Sequence, residues 1–295
     1  MSPAGPDVAG RISRLLGAEV RAARSTGAQH GWRHFVVTLA DGRTVFAKVA
    51  ERGLGGVFAA EARGLRWLAA AGTVPLPDVL GYDDATLVVS WVPVTRPTPE
   101  AAHRFGRDLA SMHAAGAEAF GAPWPGFIAS LPLDNGAGPG GPEPEAWPEW
   151  YAGRRLLPYL RRAADSGALR AADVRLVEAV IGRIGALAGP AEPPSRIHGD
   201  CWSGNLLWSG GRGWLIDPAA HGGHRESDLA MLALFGTPYL DHVVGGYDET
   251  VPLAAGWRSR VPLHQLHPLL VHACLFGETY RDAVRDAARA ALASP

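Results

Sequence analysis

The chain has 295 residues, 47% of them hydrophobic, which is enough for a packed core in one large domain or two lobes. With 28 basic and 29 acidic residues the net charge is -1, so there is no bulk attraction to nucleic acid or to an anionic membrane, and neither is expected as a partner. The two cysteines, Cys201 and Cys274, are too few for a disulfide framework. No run approaches the roughly 20 apolar residues that span a bilayer, and Met1 to Gly10 lacks a basic start followed by an apolar stretch, so a cytoplasmic location is expected.

The spacing predicts a short helix over Arg11 to Glu19. His34 to Ala40 and Arg43 to Val49 then read as strands of a hairpin turning at Asp41-Gly42. A Gly-rich break at Gly53 to Gly56 precedes Val57 to Ala71, whose apolar period is helical and which carries Glu61. Leu87-Val88-Val89 is a buried-strand pattern, and Trp91-Val92-Pro93 leaves it as an extended connector. Beyond Pro99, helices are expected over Glu100 to Ala115 and Trp147 to Ala164, separated by the Gly/Pro-rich stretch Gly136 to Glu145. No period of 20 to 50 residues recurs, which argues against a repeat architecture.

The chemistry concentrates in His198-Gly199-Asp200-Cys201-Trp202-Ser203-Gly204-Asn205 and in Ile216-Asp217-Pro218. Leu206-Leu207-Trp208 and Trp214-Leu215-Ile216 flank Ser209 to Gly213, a turn-rich segment, and read as a hairpin. If the pairing is symmetric about Gly211, Trp208 faces Trp214 and Asn205 faces Asp217, with Cβ atoms roughly 5 Å apart. That places two oxygen ligands at the open end, suited to one hard cation such as magnesium. The preceding loop carries Asp200 to the same end, where a carboxylate can accept the proton of an attacking hydroxyl. An acid, an amide five residues on and a second acid beyond a hairpin are the parts of a phosphoryl-transfer site; the plain alternative is turn and cap residues.

Lys48, on the second strand of the first hairpin, and Glu61, on the following helix, are arranged for an ion pair, the layout by which kinase-like enzymes hold the α- and β-phosphates of ATP. Gly27-Ala28-Gln29-His30-Gly31 offers two glycines before a strand but neither GxGxxG nor a Walker A motif. Its backbone N–H groups suit either a phosphate cradle or an ordinary turn. Ser90 and Val92 present backbone groups at the connector, where adenine would be read, unless the segment is a plain linker. The order of strands, connector and helices fits two lobes with a cleft between them.

These strings resemble the fructosamine (ketosamine) kinase family, within the aminoglycoside-phosphotransferase-like branch of kinase folds. The resemblance rests on His198 to Asn205, on Ile216-Asp217-Pro218-Ala219 and on Gly223 to Met231, supported by Phe46-Ala47-Lys48, Glu61 to Leu65, Phe120-Gly121 and Trp147 to Arg155, and so covers nearly the whole chain. It implies an α+β, two-lobed protein-kinase-like fold with a small β-rich N-terminal lobe (1–90), a connector (91–99) and a larger, mainly helical C-terminal lobe (100–295). It also implies ATP-dependent phosphorylation of a sugar hydroxyl on a ketosamine, free or carried on a glycated protein lysine, with deglycation as the role. Asp200 would be the base, Asn205 and Asp217 would hold Mg2+, and Lys48 with Glu61 would position ATP. Cys201 stands where a leucine-like residue is expected, and the phosphate loop lacks the fuller glycine cluster. Gly199 and Pro218 replace the arginine and phenylalanine of protein kinases, so no activating phosphorylation is expected.

Trp202, beside Asp200, is placed to stack on the sugar or amine of a substrate, or simply to pack. Trp147, Trp150 and Tyr151 read as helix packing. His221 and His224 lack a ligand pattern that specifies zinc and read as loop residues. Glu226 and Asp228 suit a cationic substrate or helix-start chemistry, the latter favoured for Asp228. Two other readings remain open: a phosphotransferase for an aminoglycoside, choline or homoserine, and an inactive nucleotide-binding pseudokinase.

Overall fold

The computed structural model describes residues 6–136 and 146–294; the Gly/Pro-rich stretch from Ala137 to Glu145 and the first five residues lie outside the described residues. Helix α1 (Pro6–Leu16) leads into a five-stranded antiparallel sheet of β1 (Val20–Gln29), β2 (Trp32–Leu39), β3 (Thr44–Ala50), β4 (Val79–Tyr82) and β5 (Thr86–Ser90), in the order β1-β2-β3-β5-β4, with α2 (Val57–Ala69) between β3 and β4. Strands β2 and β3 pair from Trp32 opposite Ala50 to Thr38 opposite Thr44, around the Asp41-Gly42 turn. Strand β1 is polar over most of its length and carries little apolar alternation, so Gly27 to Gln29, read from sequence as part of a loop, are strand residues, and the turn is confined to His30 and Gly31.

Alternation along the strands divides the sheet's work. Val45, Ala47 and Val49 face one side, where Val8 and Ile12 of α1 complete a small core. Trp32, Ala50, Leu87 and Val89 face the other, joining α2 and the helices that follow in a second core. Lys48 belongs to that second face, so it points away from α1 and toward the rest of the molecule.

After the connector come α3 (Pro99–Ala114) and the short hairpin β6 (Gly126–Ile128) and β7 (Leu131–Leu133). The helix expected over Trp147 to Ala164 is α4 (Trp147–Tyr151), a wide π turn (Ala152–Leu156) and α5 (Leu157–Asp165), followed by α6 (Ala171–Gly182) and α7 (Ile184–Leu187). Next are β8 (Ser195–Ile197), a hairpin of β9 (Leu206–Ser209) and β10 (Arg212–Leu215), β11 (His221–Gly223), and helices α8 (Arg225–Leu234), α9 (Leu240–Thr250), α10 (Trp257–Phe276) and α11 (Arg281–Ala293). The third and largest core lies among α4 to α7, α10 and α11 and holds Trp147, Trp150 and Tyr151. Among the described residues no helix is long and apolar enough to cross a membrane.

Helices α3 and α9 cross through glycines. A Cβ on Gly106 would come within 1.9 Å of the Val243 carbonyl oxygen, and one on Gly246 within 2.1 Å of the His103 carbonyl oxygen. Both obstacles are backbone, so the helices must separate to admit a methyl group. Gly106→Ala is expected to lower stability by about 1–3 kcal/mol, seen as a lower urea midpoint at unchanged slope; an unmoved midpoint would contradict this packing.

Candidate active site

The loop from β8 to β9 is held from behind. Asp228, in the first turn of α8 and 1% exposed, accepts hydrogen bonds from the His198 N–H (2.7 Å), the Gly199 N–H (2.9 Å) and Nε2 of His113 (3.1 Å). His198 is fully buried, and its Nε2 donates to the Ile216 carbonyl (2.9 Å) while Nδ1 accepts from the Asp200 N–H (3.3 Å). Burial holds the ring below its ordinary pKa, consistent with a neutral ring that donates on one side and accepts on the other. Gly199 has φ 79°, and a Cβ there would meet the Ala219 carbonyl at 2.4 Å, so only glycine makes this bend. Cys201 is buried in the core beneath, where burial pushes its thiol up, away from reactivity.

The hairpin pairs one step away from the expected register. Trp208 faces Gly213 and Trp214 faces Leu207, because the turn is the two-residue Gly210-Gly211 and not a loop centred on Gly211. Asn205 is consequently opposite Ile216, whose N–H donates to its carbonyl (3.0 Å). Asp217, one residue on, adopts a left-handed φ of 57°, and its carboxylate contacts Lys48. Asn205 reaches Asp200 instead, its Nδ2 donating to Asp200 Oδ2 (2.8 Å) and to the Asp200 carbonyl (3.0 Å). Lys48 Nζ lies 2.9 Å from both carboxylate oxygens of Glu61. The structure thus brings Asp200, Asn205, Asp217, Lys48 and Glu61 together.

Burial and the neighbouring Asp217 charge push Asp200 up to about 7, opposed by the Asn205 hydrogen bond. The partly buried setting would also raise Asp217, but the Lys48 ammonium outweighs it and holds that carboxyl below the usual range. For Lys48, burial favours the neutral amine, and the Asp217 and Glu61 carboxylates overcome it, leaving a persistent cation. Two carboxylates with their pKa values driven apart suit different tasks, one exchanging a proton and one staying ionised. The oxygen donors fit a hard divalent cation: the Asn205 NH2 is committed to Asp200, which turns its amide oxygen elsewhere, and the Asp217 side chain is 43% exposed.

Glu61, Asp200, Asn205 and Asp217 line a cavity of about 310 Å³, with Lys48 behind them in contact with Glu61 and Asp217; it runs from Gln29 at the end of β1 and His30 of the turn to an aromatic wall. Trp202 lines it and meets Phe235 edge-on (5.8 Å), its indole lying so close over Gly204 that a Cβ there would come within 2.3 Å. Ser90 and Val92 do not line this cavity. The Ser90 N–H is taken by the Asp78 carbonyl (2.9 Å), and Val92 is 5% exposed at the connector. Sequence reasoning gave no part to His113, or to Phe235, His272, Phe276 and Tyr280; the one available signal was the four-residue spacing of His272, Phe276 and Tyr280.

His221 is a strand residue of β11, paired with Ile197, and not a loop residue, whereas His224 is the link between β11 and α8 and caps that helix by accepting the Glu226 N–H on Nδ1 (3.2 Å). His224, Glu226 and His264 have ligand atoms within 4.8 Å of one another. Both Glu226 oxygens, however, are bound by Arg260 at 2.9 and 2.6 Å. Glu226 is 1% exposed and locked in this pair, which takes it away from any substrate.

The model of the fructosamine kinase family matches residues 6–294. A probable ketoamine kinase of Klebsiella aerogenes is 33% identical over 260 residues, covering 85% of this chain and 86% of its own. The solved structure of a Thermobifida fusca protein described as a candidate fructosamine-3-kinase superposes with a TM-score of 0.92 at 56% identity, over 97% of this chain and 98% of that one. A macrolide 2′-phosphotransferase from Brachybacterium faecium shares the fold alone (TM-score 0.62, 18% identity, 98% and 97% covered). The expected α+β, protein-kinase-like architecture is the one observed. The chain belongs to the fructosamine kinase family and is an ATP-dependent small-molecule kinase.

Proposed function

We propose that the protein transfers the γ-phosphoryl group of ATP to a sugar hydroxyl of a ketosamine, as a cytoplasmic deglycation enzyme. Residues 1–90 serve as the ATP-binding lobe, 91–99 as the connector and 100–295 as the catalytic and substrate-binding lobe. The observation that carries the reading is the convergence, on one cavity, of a carboxylate with a raised pKa, an ionised carboxylate and a glutamate that holds a lysine just behind the wall.

Asp200 accepts the proton of the attacking hydroxyl, its carboxylate aimed by Asn205 Nδ2. Lys48 neutralises the α- and β-phosphates while Glu61 fixes the ammonium. The backbone of the His30-Gly31 turn covers the phosphates, and Val92 with the Ser90 carbonyl reads adenine, the Ser90 N–H being engaged elsewhere. Asn205 and Asp217 would hold magnesium, which would offset the negative charge of the phosphates. Trp202 offers an apolar face to the substrate.

An aminoglycoside acceptor calls for a strongly acidic pocket. Among the described residues the only acids lining the cavity are Glu61, Asp200 and Asp217, all at the phosphate end. The test is magnesium-dependent ADP release from ATP with a panel of fructosamines, ribulosamines and aminoglycosides. Ketosamine-dependent release is expected; release with aminoglycosides alone would overturn the substrate, and silence with every acceptor would overturn the reading.

A further inference from the structure

The far wall of the cavity contains a neutral acceptor in an aromatic frame. His272, on α10, sits with its ring centroid 5.0 Å from Phe235, 5.5 Å from Phe276 and 4.8 Å from Tyr280, and Phe235 in turn meets Trp202. The frame therefore runs without a break from the indole two residues beyond Asp200 to the C-terminal end of α10. His272 Nδ1 lies 2.7 Å from the Pro268 carbonyl. A carbonyl only accepts, so Nδ1 carries the proton, and Nε2 of the neutral ring is left as an acceptor with no donor capacity. Nε2 makes no hydrogen bond among the described residues, and it is not among their buried unpartnered atoms. Burial also lowers the ring's pKa, which favours the neutral form at pH 7.

We propose that His272 is a specificity-determining residue, its Nε2 accepting a hydrogen bond from the protonated amine of the acceptor substrate while Trp202, Phe235, Phe276 and Tyr280 present ring faces and edges around that amine. This rests on the ketosamine reading and deepens it. An alkylamine is cationic at neutral pH. The acids of the cavity are drawn to Lys48 and Asn205 at the opposite end. A cation at the aromatic end is thus met by π faces and one neutral acceptor, and not by a carboxylate. A sugar without the amine would leave Nε2 desolvated and unpaired, so the pocket discriminates by what it leaves unsatisfied.

The experiment compares a ketosamine with its ether isostere, in which oxygen replaces the amine nitrogen and removes both charge and N–H. The expected result for His272→Phe is a KM for the ketosamine raised about tenfold or more and a KM for the ether lowered, because no acceptor is then left unpaired, with the KM for ATP near that of the unaltered protein. His272→Gln, which returns an acceptor near the place of Nε2, should recover most of the loss. Equal losses on both substrates, or no loss, would assign the ring to packing and overturn the proposal. Absence of ketosamine turnover by the unaltered protein would remove the underlying reading and this inference together, a distinguishable result. A measurement on the unaltered protein covers a variant that does not fold: the 15N shift of His272 Nε2 should move on saturation with the ketosamine and stay in place with the ether, and a shift unmoved by the ketosamine would also overturn the proposal.

Discussion

Asp200→Asn should cut ketosamine turnover by about a thousandfold while leaving ATP affinity near that of the unaltered protein. The substitution keeps the shape of the side chain and an oxygen for the Asn205 NH2, 2.8 Å away, so the loss reports the base and not the loop. The pH profile supplies a second signature. Burial and Asp217 raise Asp200 to about 7, so the active, deprotonated form prevails above that value and is lost below it. The kcat/KM of the unaltered protein should therefore fall on the acid side of neutrality, and in the variant that limb should shrink to what Glu61, which burial also pushes up to about 7, contributes. A variant with ordinary turnover would remove Asp200 from the mechanism.

Asp228→Asn should cost about 3–5 kcal/mol of stability and lower turnover as well, although Asp228 does not line the cavity. Three N–H donors converge on its carboxylate, from His198, Gly199 and His113. An amide supplies one accepting oxygen and turns an NH2 toward a remaining donor, leaving buried groups unsatisfied. Burial alone would raise Asp228, but the His113 hydrogen bond and charge outweigh it and hold it low. Its contribution is therefore present above the ordinary aspartate range and lost as pH falls through the lower folded value. Urea denaturation at neutral pH checks the first effect, and steady-state kinetics at a temperature where the variant is folded checks the second. Unchanged stability would mean that the loop is held by something other than this carboxylate.

Much of this arrangement was legible in the residues, and the failures have identifiable causes. The β2–β3 hairpin was readable because Asp41-Gly42 is a local turn signal and the strands alternate. Strand β1 was not, since a sequence such as Arg21 to Gln29 is paired by its backbone on a sheet edge without an apolar stripe to announce it. The β9–β10 hairpin was found, but its register slipped by one. Four of the five residues from Ser209 to Gly213 suit a turn, and only the pairing of Ser209 with Arg212 shows that Gly210 and Gly211 make it alone. That slip reassigned the partner of Asn205 from Asp217 to Ile216, and the left-handed backbone at Asp217 restored its carboxylate to the cleft by another route.

The sequence by itself determined most of the order of strands and helices, and it marked the string from His198 to Asp217 as the candidate site. Those properties are written in short-range periodicity and in the types of neighbouring residues. Only the tertiary structure decided that Asp228 holds the loop from behind, that Glu226 is spent on Arg260, and that Trp202, Phe235, His272 and Tyr280 form one wall. The Asp228, Glu226 and Trp202–Phe235 contacts join positions about thirty residues apart, and the whole wall spans nearly eighty, so apart from the local His272–Tyr280 step these pairings leave no pattern at either end.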